Sequence, residues 1–194
     1  RRTTSFLALV YTGPFSLGSS YDMALIEGMG QAMDALDFDL VVLNPTRDRA
    51  SDETYTQYFL RKGVRGVVLR STVEGRPVCE AIAAENFPAV VVGDHFEHET
   101  LSFVYADSYI TSKQGIQHLL SLGHQRIALA SNKFEDGDHA DRYRGYCDAL
   151  QGAGLTVDPE LLFRIPAHRS DGAQLLRNMM SAPKPPTAVY ITDP

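Results

Sequence analysis

The residues best placed to recognise a ligand are polar or aromatic side chains that follow short runs of β-branched and apolar residues. Phe15 comes after the run at 6–11, Arg70 and Ser71 after 66–69, and Asp94 and His95 after 89–92. Asn132 comes after 127–130, and Asp193 after 188–191. Carboxylate and guanidinium groups make paired hydrogen bonds with neighbouring hydroxyls, and an aromatic ring stacks on the apolar face of a sugar. Such a set suits a polyhydroxylated small molecule. Each acid also has a structural alternative, because a strand-end Asp such as Asp94, Asp107 or Asp193 often caps the next helix.

Groups that would do other chemistry are missing. The sequence has no Gly-x-Ser-x-Gly nucleophile elbow, no phosphate-binding loop ending in Gly-Lys-Ser/Thr and no His-Glu-x-x-His helix. Gly28 and Gly30 fall inside a helical pattern, so they cannot form a dinucleotide-binding turn, which must lie between strand and helix. His95, Glu97, His98 and Glu99 crowd one loop and read as a solvated surface more readily than as a metal site. The reading is a binding protein with no metal or cofactor, and not an enzyme.

Elements that could hold these residues alternate between strand and helix from end to end, which means βαβ units and a parallel sheet. Strands are expected at 6–11, 40–44, 66–69, 89–92, 103–106, 127–130 and 188–191. Helices are expected at 21–36, 52–62, from Pro77 to before Pro88, and at 108–122, 140–153 and 171–181. Leu25, Met29, Met33 and Leu36 share one face of the first helix, and Tyr143, Tyr146, Cys147 and Leu150 share one face of the fifth. Gly123 is expected to stop the fourth helix in a left-handed conformation. The carboxyl ends of such strands are where open α/β sheets bind ligands.

Composition narrows the class. The chain has 194 residues, of which 44 % are hydrophobic and 22 % charged, enough to fold around a sizeable core. Its net charge of −6 and its scattered Lys and Arg leave no basic stripe for a row of phosphates, so these residues alone should not bind DNA. Cys79 and Cys147 read as separate buried thiols in a reducing compartment, which favours the cytoplasm. No apolar run is long enough to span a bilayer, so no membrane association is expected.

The segment from His118 through Leu122, Gly123, His124, Gln125, Arg126, Ile127 and Ala128 to Leu129 resembles the helix-turn-strand of lactose-repressor-type (LacI-type) transcription regulators. The helix containing Arg142, Gly145 and Tyr146 resembles that family's Arg-x-x-Gly-Phe/Tyr helix. Asp158, Pro159 and Glu160 match its loop, and Pro186 to Asp193 resembles its Pro-Thr-Ala strand, one residue shorter. The likeness runs from about Arg2 to Asp193.

The resemblance implies a two-lobed fold like that of type I periplasmic binding proteins: doubly wound parallel sheets joined by crossover strands, lobes at 1–106 and 107–194, and a second lobe that is incomplete in this chain. It further implies a sugar-like effector held in the cleft between lobes, a homodimer, and operator DNA bound by a helix-turn-helix headpiece outside the chain. Asp107, Arg142 and Asp193 fall where the family faces its effector. A sugar-transporter receptor shares the fold and is the alternative. Departures concern the ligand: Gly93 and Asp94 stand where Asp-Arg is frequent, Thr192 where Asn is, Thr111 where a helix glycine is common, and Thr12-Gly13 where Asp-Asn is. The missing Arg at 94 makes Arg70 the candidate substitute.

Overall fold

A computed structural model describes residues 5–13, 20–33, 36, 38–133, 136–166 and 169–192. The chain divides into two compact units, Arg1–Tyr105 and Ala106–Pro194.

In the first unit β1 (Ser5–Tyr11), β2 (Phe38–Leu43), β3 (Val64–Arg70), β4 (Ala89–Val92) and β5 (Ser102–Val104) form one parallel sheet in the order β2-β1-β3-β4-β5. The apolar runs that marked these strands are continuous because both faces are covered. Ala8, Val10, Val67, Leu69 and Val91 meet Tyr58 and Phe59 of α3 (Tyr55–Arg61) and Cys79 and Ile82 of α4 (Arg76–Ala84). Successive strand residues point to opposite faces, and on the other face Tyr11 and Arg70 lie beside Asp22 of α1 (Ser20–Met33).

Local chemistry explains most boundaries. The expected helix at 52–62 begins only at Tyr55, because Thr54 and Gln57 form a reciprocal capping box. Asn44, read as the end of a strand, instead caps a single turn, α2 (Pro45–Asp48), which the sequence reading did not anticipate. The first helix stops at Met33, so Leu36, placed on its apolar face by periodicity, is 56 % exposed. Its packing face is Asp22, Leu25, Met29 and Met33, with a carboxylate where the pattern suggested only apolar groups.

The second unit holds a parallel sheet in the order β7-β6-β8, made of β6 (Ile127–Asn132), β7 (Leu162–Ile165) and β8 (Ala188–Ile191). Strand β7 is an addition to the sequence reading, where its run of Leu, Phe, Arg and Ile is too short and too mixed to stand out. Central β6 is buried on both sides. Ile127 and Leu129 pack on Ile116 of α5 (Ser108–Ser121) and on Tyr146, Ala149 and Leu150 of α6 (Gly137–Gly152). Ala128 and Ala130 face Leu175 and Met179 of α7 (Arg169–Met180). Gly123 takes φ +90° just past α5, the left-handed conformation expected of it. Among the described residues no helix is long and apolar enough to cross a membrane.

Candidate functional site

At the carboxyl edge of the first unit, the last residue of β3 sends its side chain across to α1. The Arg70 guanidinium donates from Nε to Asp22 Oδ1 at 3.1 Å and lies over the Tyr21 ring, 4.5 Å from its centroid. Asp22 is 5 % exposed. Gly93, at φ +78°, makes this placement possible: a Cβ there would stand 2.6 Å from Arg70 Nη1. The small residue at 93 and the arginine at 70 are therefore one arrangement. Burial, with the Asp22 carboxylate adding to it, pushes the Tyr11 hydroxyl up to about 12.

Asp94 is also buried. It receives Arg76 Nη1 at 3.0 Å and Ser71 Oγ at 3.3 Å, tying the first turn of α4 to the ends of β3 and β4. Arg76 in turn lies over the Phe96 ring at 4.6 Å. His95 stands at the rim, with its ring edge-on to Phe103 at 4.8 Å and its Nε2 3.6 Å from Glu97. His98 Nδ1 contacts Thr100, and among the described residues no group of three His, Cys, Asp or Glu is arranged to hold a metal.

In the second unit, Asp107 is the N-cap of α5 and accepts the Tyr109 amide at 3.0 Å. Arg142 projects from α6 to the end of β8, where Nη1 donates to the Thr192 carbonyl and Nη2 pairs with Asp138 at 2.5 Å. The other oxygen of Asp138 accepts the Ser108 hydroxyl. Asp107, Ser108, Asp138, Arg142 and Thr192 are thus drawn together from two helices and one strand end. Close by, Asp136 caps α6 and holds His139 Nδ1 at 2.6 Å, and His139 lines a cavity of about 50 Å³ with Ser131, Tyr143 and Arg164. Phe15 and Asp193 lie outside the described residues.

The model of one family matches residues 5–193: periplasmic binding proteins and sugar binding domain of LacI family. The chain belongs to that family. Among curated relatives, the HTH-type transcriptional regulator RafR of Escherichia coli is 27 % identical, over 98 % of this chain and 56 % of its own length. The HTH-type transcriptional regulator DegA of Bacillus subtilis (strain 168) is 23 % identical, over 97 % of this chain and 56 % of its own. This chain therefore spans a little over half of each. A solved structure of a LacI transcriptional regulator from Bacillus cereus subsp. cytotoxis has a TM-score of 0.79 at 24 % identity, covering 98 % of this chain and 68 % of that one. It shares the fold. Both curated relatives are HTH-type transcriptional regulators.

The LacI-family motifs now have physical explanations. His124 Nδ1 contacts Thr187 Oγ1 at 3.0 Å, and Arg126 bridges Asp158 at 2.7 Å and the Lys184 carbonyl at 2.9 Å. The helix-turn-strand motif therefore fastens the amino edge of the second sheet, away from the carboxyl strand ends. The Glu160 amide and Arg126 hold the Asp158 carboxyl below its ordinary range. In the Arg-x-x-Gly-Tyr helix, a Cβ on Gly145 would lie 2.6 Å from the Tyr109 carbonyl oxygen, and the Tyr146 hydroxyl donates to the Ile127 carbonyl at 2.8 Å. Of that motif, Arg142 reaches the carboxyl end of β8.

The sequence reading missed Asp22 and Asp138. Asp138 had a signal, since it is four residues before Arg142 on the same helical face. Asp22 had a weaker one, as a carboxylate in register with Leu25, Met29 and Met33.

Proposed function

We propose that this chain is the effector-sensing part of a DNA-binding repressor, in which a small polyhydroxylated molecule, a sugar, binds at the carboxyl strand ends and changes operator affinity. The observation that carries this reading is the arginine at each ligand edge, Arg70 and Arg142, held in a fixed orientation by its own carboxylate and backbone partners. A preorganised guanidinium loses little freedom when it donates to a ligand. Asp107 supplies an exposed acceptor beside Arg142. Phe15, Asp94, His95 and Asp193 complete the proposed set by their positions after strands. Arg70 takes the part of the arginine that position 94 lacks, using the room left by Gly93.

By the linkage between sites, an effector that binds one conformation better shifts the protein toward it, and operator affinity changes by the same coupling free energy. Operator binding and a homodimer belong in this proposal to the whole regulator, through segments outside this chain. A transporter receptor is less well supported, because the relatives found are HTH-type regulators. The direct test is a thermal-shift screen with mono- and oligosaccharides, followed by operator binding with and without each hit. A sugar that raises the melting temperature and alters operator affinity is the expected result. A shift only with nucleobases or amino acids would overturn the sugar assignment.

A further inference from the structure

Three arginines at the proposed ligand edges already have a carboxylate partner within their own unit. Arg70 is paired with Asp22, Arg76 with Asp94 and Arg142 with Asp138. These carboxylates are deeply committed. The side chains of Asp22, Asp94 and Asp138 are 7 %, 10 % and 19 % exposed, and Asp94 and Asp138 each also accept a serine hydroxyl. A guanidinium that recognises a phosphate or carboxylate does so by offering uncompensated charge in a fork that the anion fills. Here part of each fork is filled in advance, and an incoming anion would be set beside an existing negative charge in a partly desolvated place, where repulsion is weakly screened.

The remaining groups at the second edge do not reverse this balance. Lys133 and Arg164 at the ends of β6 and β7 and Arg169 at the start of α7 are exposed, so solvent and salt screen their charge.

We propose that Asp22 and Asp138 are specificity-determining residues: by neutralising Arg70 and Arg142 they restrict the effector to uncharged polyols and exclude sugar phosphates, uronates and other anionic ligands. The guanidiniums keep their directional N–H groups for hydroxyl oxygens while losing their attraction for net charge. Rejection of the anion rests on like charges held in place, a built-in penalty and not a missing contact. This inference rests on the reading that these edges bind the effector.

The experiment has two arms on the intact protein. In the first, Asp22→Asn and Asp138→Asn are compared with wild type for thermal stabilisation by inorganic phosphate and sulfate at constant ionic strength, with Asp138→Asn combined with Arg142→Gln as the control. The single variants should bind anion at least tenfold more tightly than wild type, and the double variant should lose that gain. Equal anion binding by wild type and both variants overturns the proposal, as does a gain that survives in the double variant. This arm needs no sugar, so it stands apart from the effector reading. In the second arm, glucose is compared with glucose 6-phosphate, and galactose with galacturonate, by calorimetry. Only the neutral member of a pair should bind wild type, and tighter binding of a charged member overturns the proposal. If no sugar binds while the anion arm succeeds, the sugar assignment fails and the charge-neutralising role stands.

Discussion

At Asp107 the observed capping role can be separated from the proposed ligand role. Its Oδ1 caps α5, so Asp107→Ala should lower stability by about 1 kcal/mol. Asn caps a helix as well as Asp does, so Asp107→Asn should leave the denaturation midpoint in place. If the carboxylate also accepts an effector hydroxyl, the same Asn variant should weaken binding by roughly ten- to a hundredfold, the worth of a charged hydrogen bond. Calorimetric titration with a ligand found by screening, run beside a denaturant melt, separates the two roles. Unchanged affinity would reduce Asp107 to a cap.

Two buried tyrosines make a pH prediction at the same scale. Burial and the Asp22 charge push Tyr11 up to about 12, while burial pushes Tyr146 to the same level. An unfolded tyrosine ionises near 10. The folded chain therefore keeps these protons where the unfolded chain releases them, and unfolding is favoured as pH rises. The stabilisation is whole below pH 10 and lost between 10 and about 12, on the order of 2 kcal/mol for each residue. Alkaline denaturation followed by tyrosinate absorbance should show a steep loss in that window. Tyr146→Phe removes one ionisation and should make the alkaline limb shallower, at the cost of the hydrogen bond to Ile127.

Between elements, the α5–α6 crossing is a close backbone contact. Gly145 lies against the Tyr109 carbonyl oxygen and the Lys113 nitrogen, where a Cβ would stand at 2.6 and 2.9 Å. Replacing glycine with alanine inside a helix normally stabilises by close to 1 kcal/mol. Gly145→Ala should do the opposite and destabilise by about 1–3 kcal/mol, because backbone must move to admit the methyl group. Gly115→Ala, with open space around its Cβ on exposed α5, should show the ordinary gain. Opposite signs in paired urea melts would verify the close crossing; equal signs would refute it. Since α5 starts at Asp107 and α6 carries Arg142, separating these helices should also weaken effector binding.

At the scale of the molecule, charge and ligand linkage give one prediction each. With a net charge of −6, the 194-residue chain should show no sequence-specific binding to duplex DNA at physiological salt, measured by fluorescence anisotropy. A ligand at a hundred times its dissociation constant should stabilise the chain by roughly 2.7 kcal/mol, readable as a rise in melting temperature. Substituting Arg142 should reduce that rise.

Sequence alone determined what depends on local pattern. Periodicity located most strands and helices because a strand segment buried on both faces must be apolar, as β4 and the first four residues of β6 are. Motif spacing identified the family because Leu122 to Ala128 fastens the amino edge of a sheet through contacts that only particular side chains make. It also placed Asp107 and Arg142, which stand at fixed positions on helices. Sequence missed β7, a short strand recognisable only by its pairing with β6, and Asp22, whose partner Arg70 is 48 positions away. Tertiary structure decided the electrostatics of the carboxyl strand ends. Whether Arg70 and Arg142 offer a charge or only a set of hydrogen-bond donors depends on which carboxylates the fold brings within about 3 Å of them, and for Arg70 and Asp22 no local pattern encodes that distance.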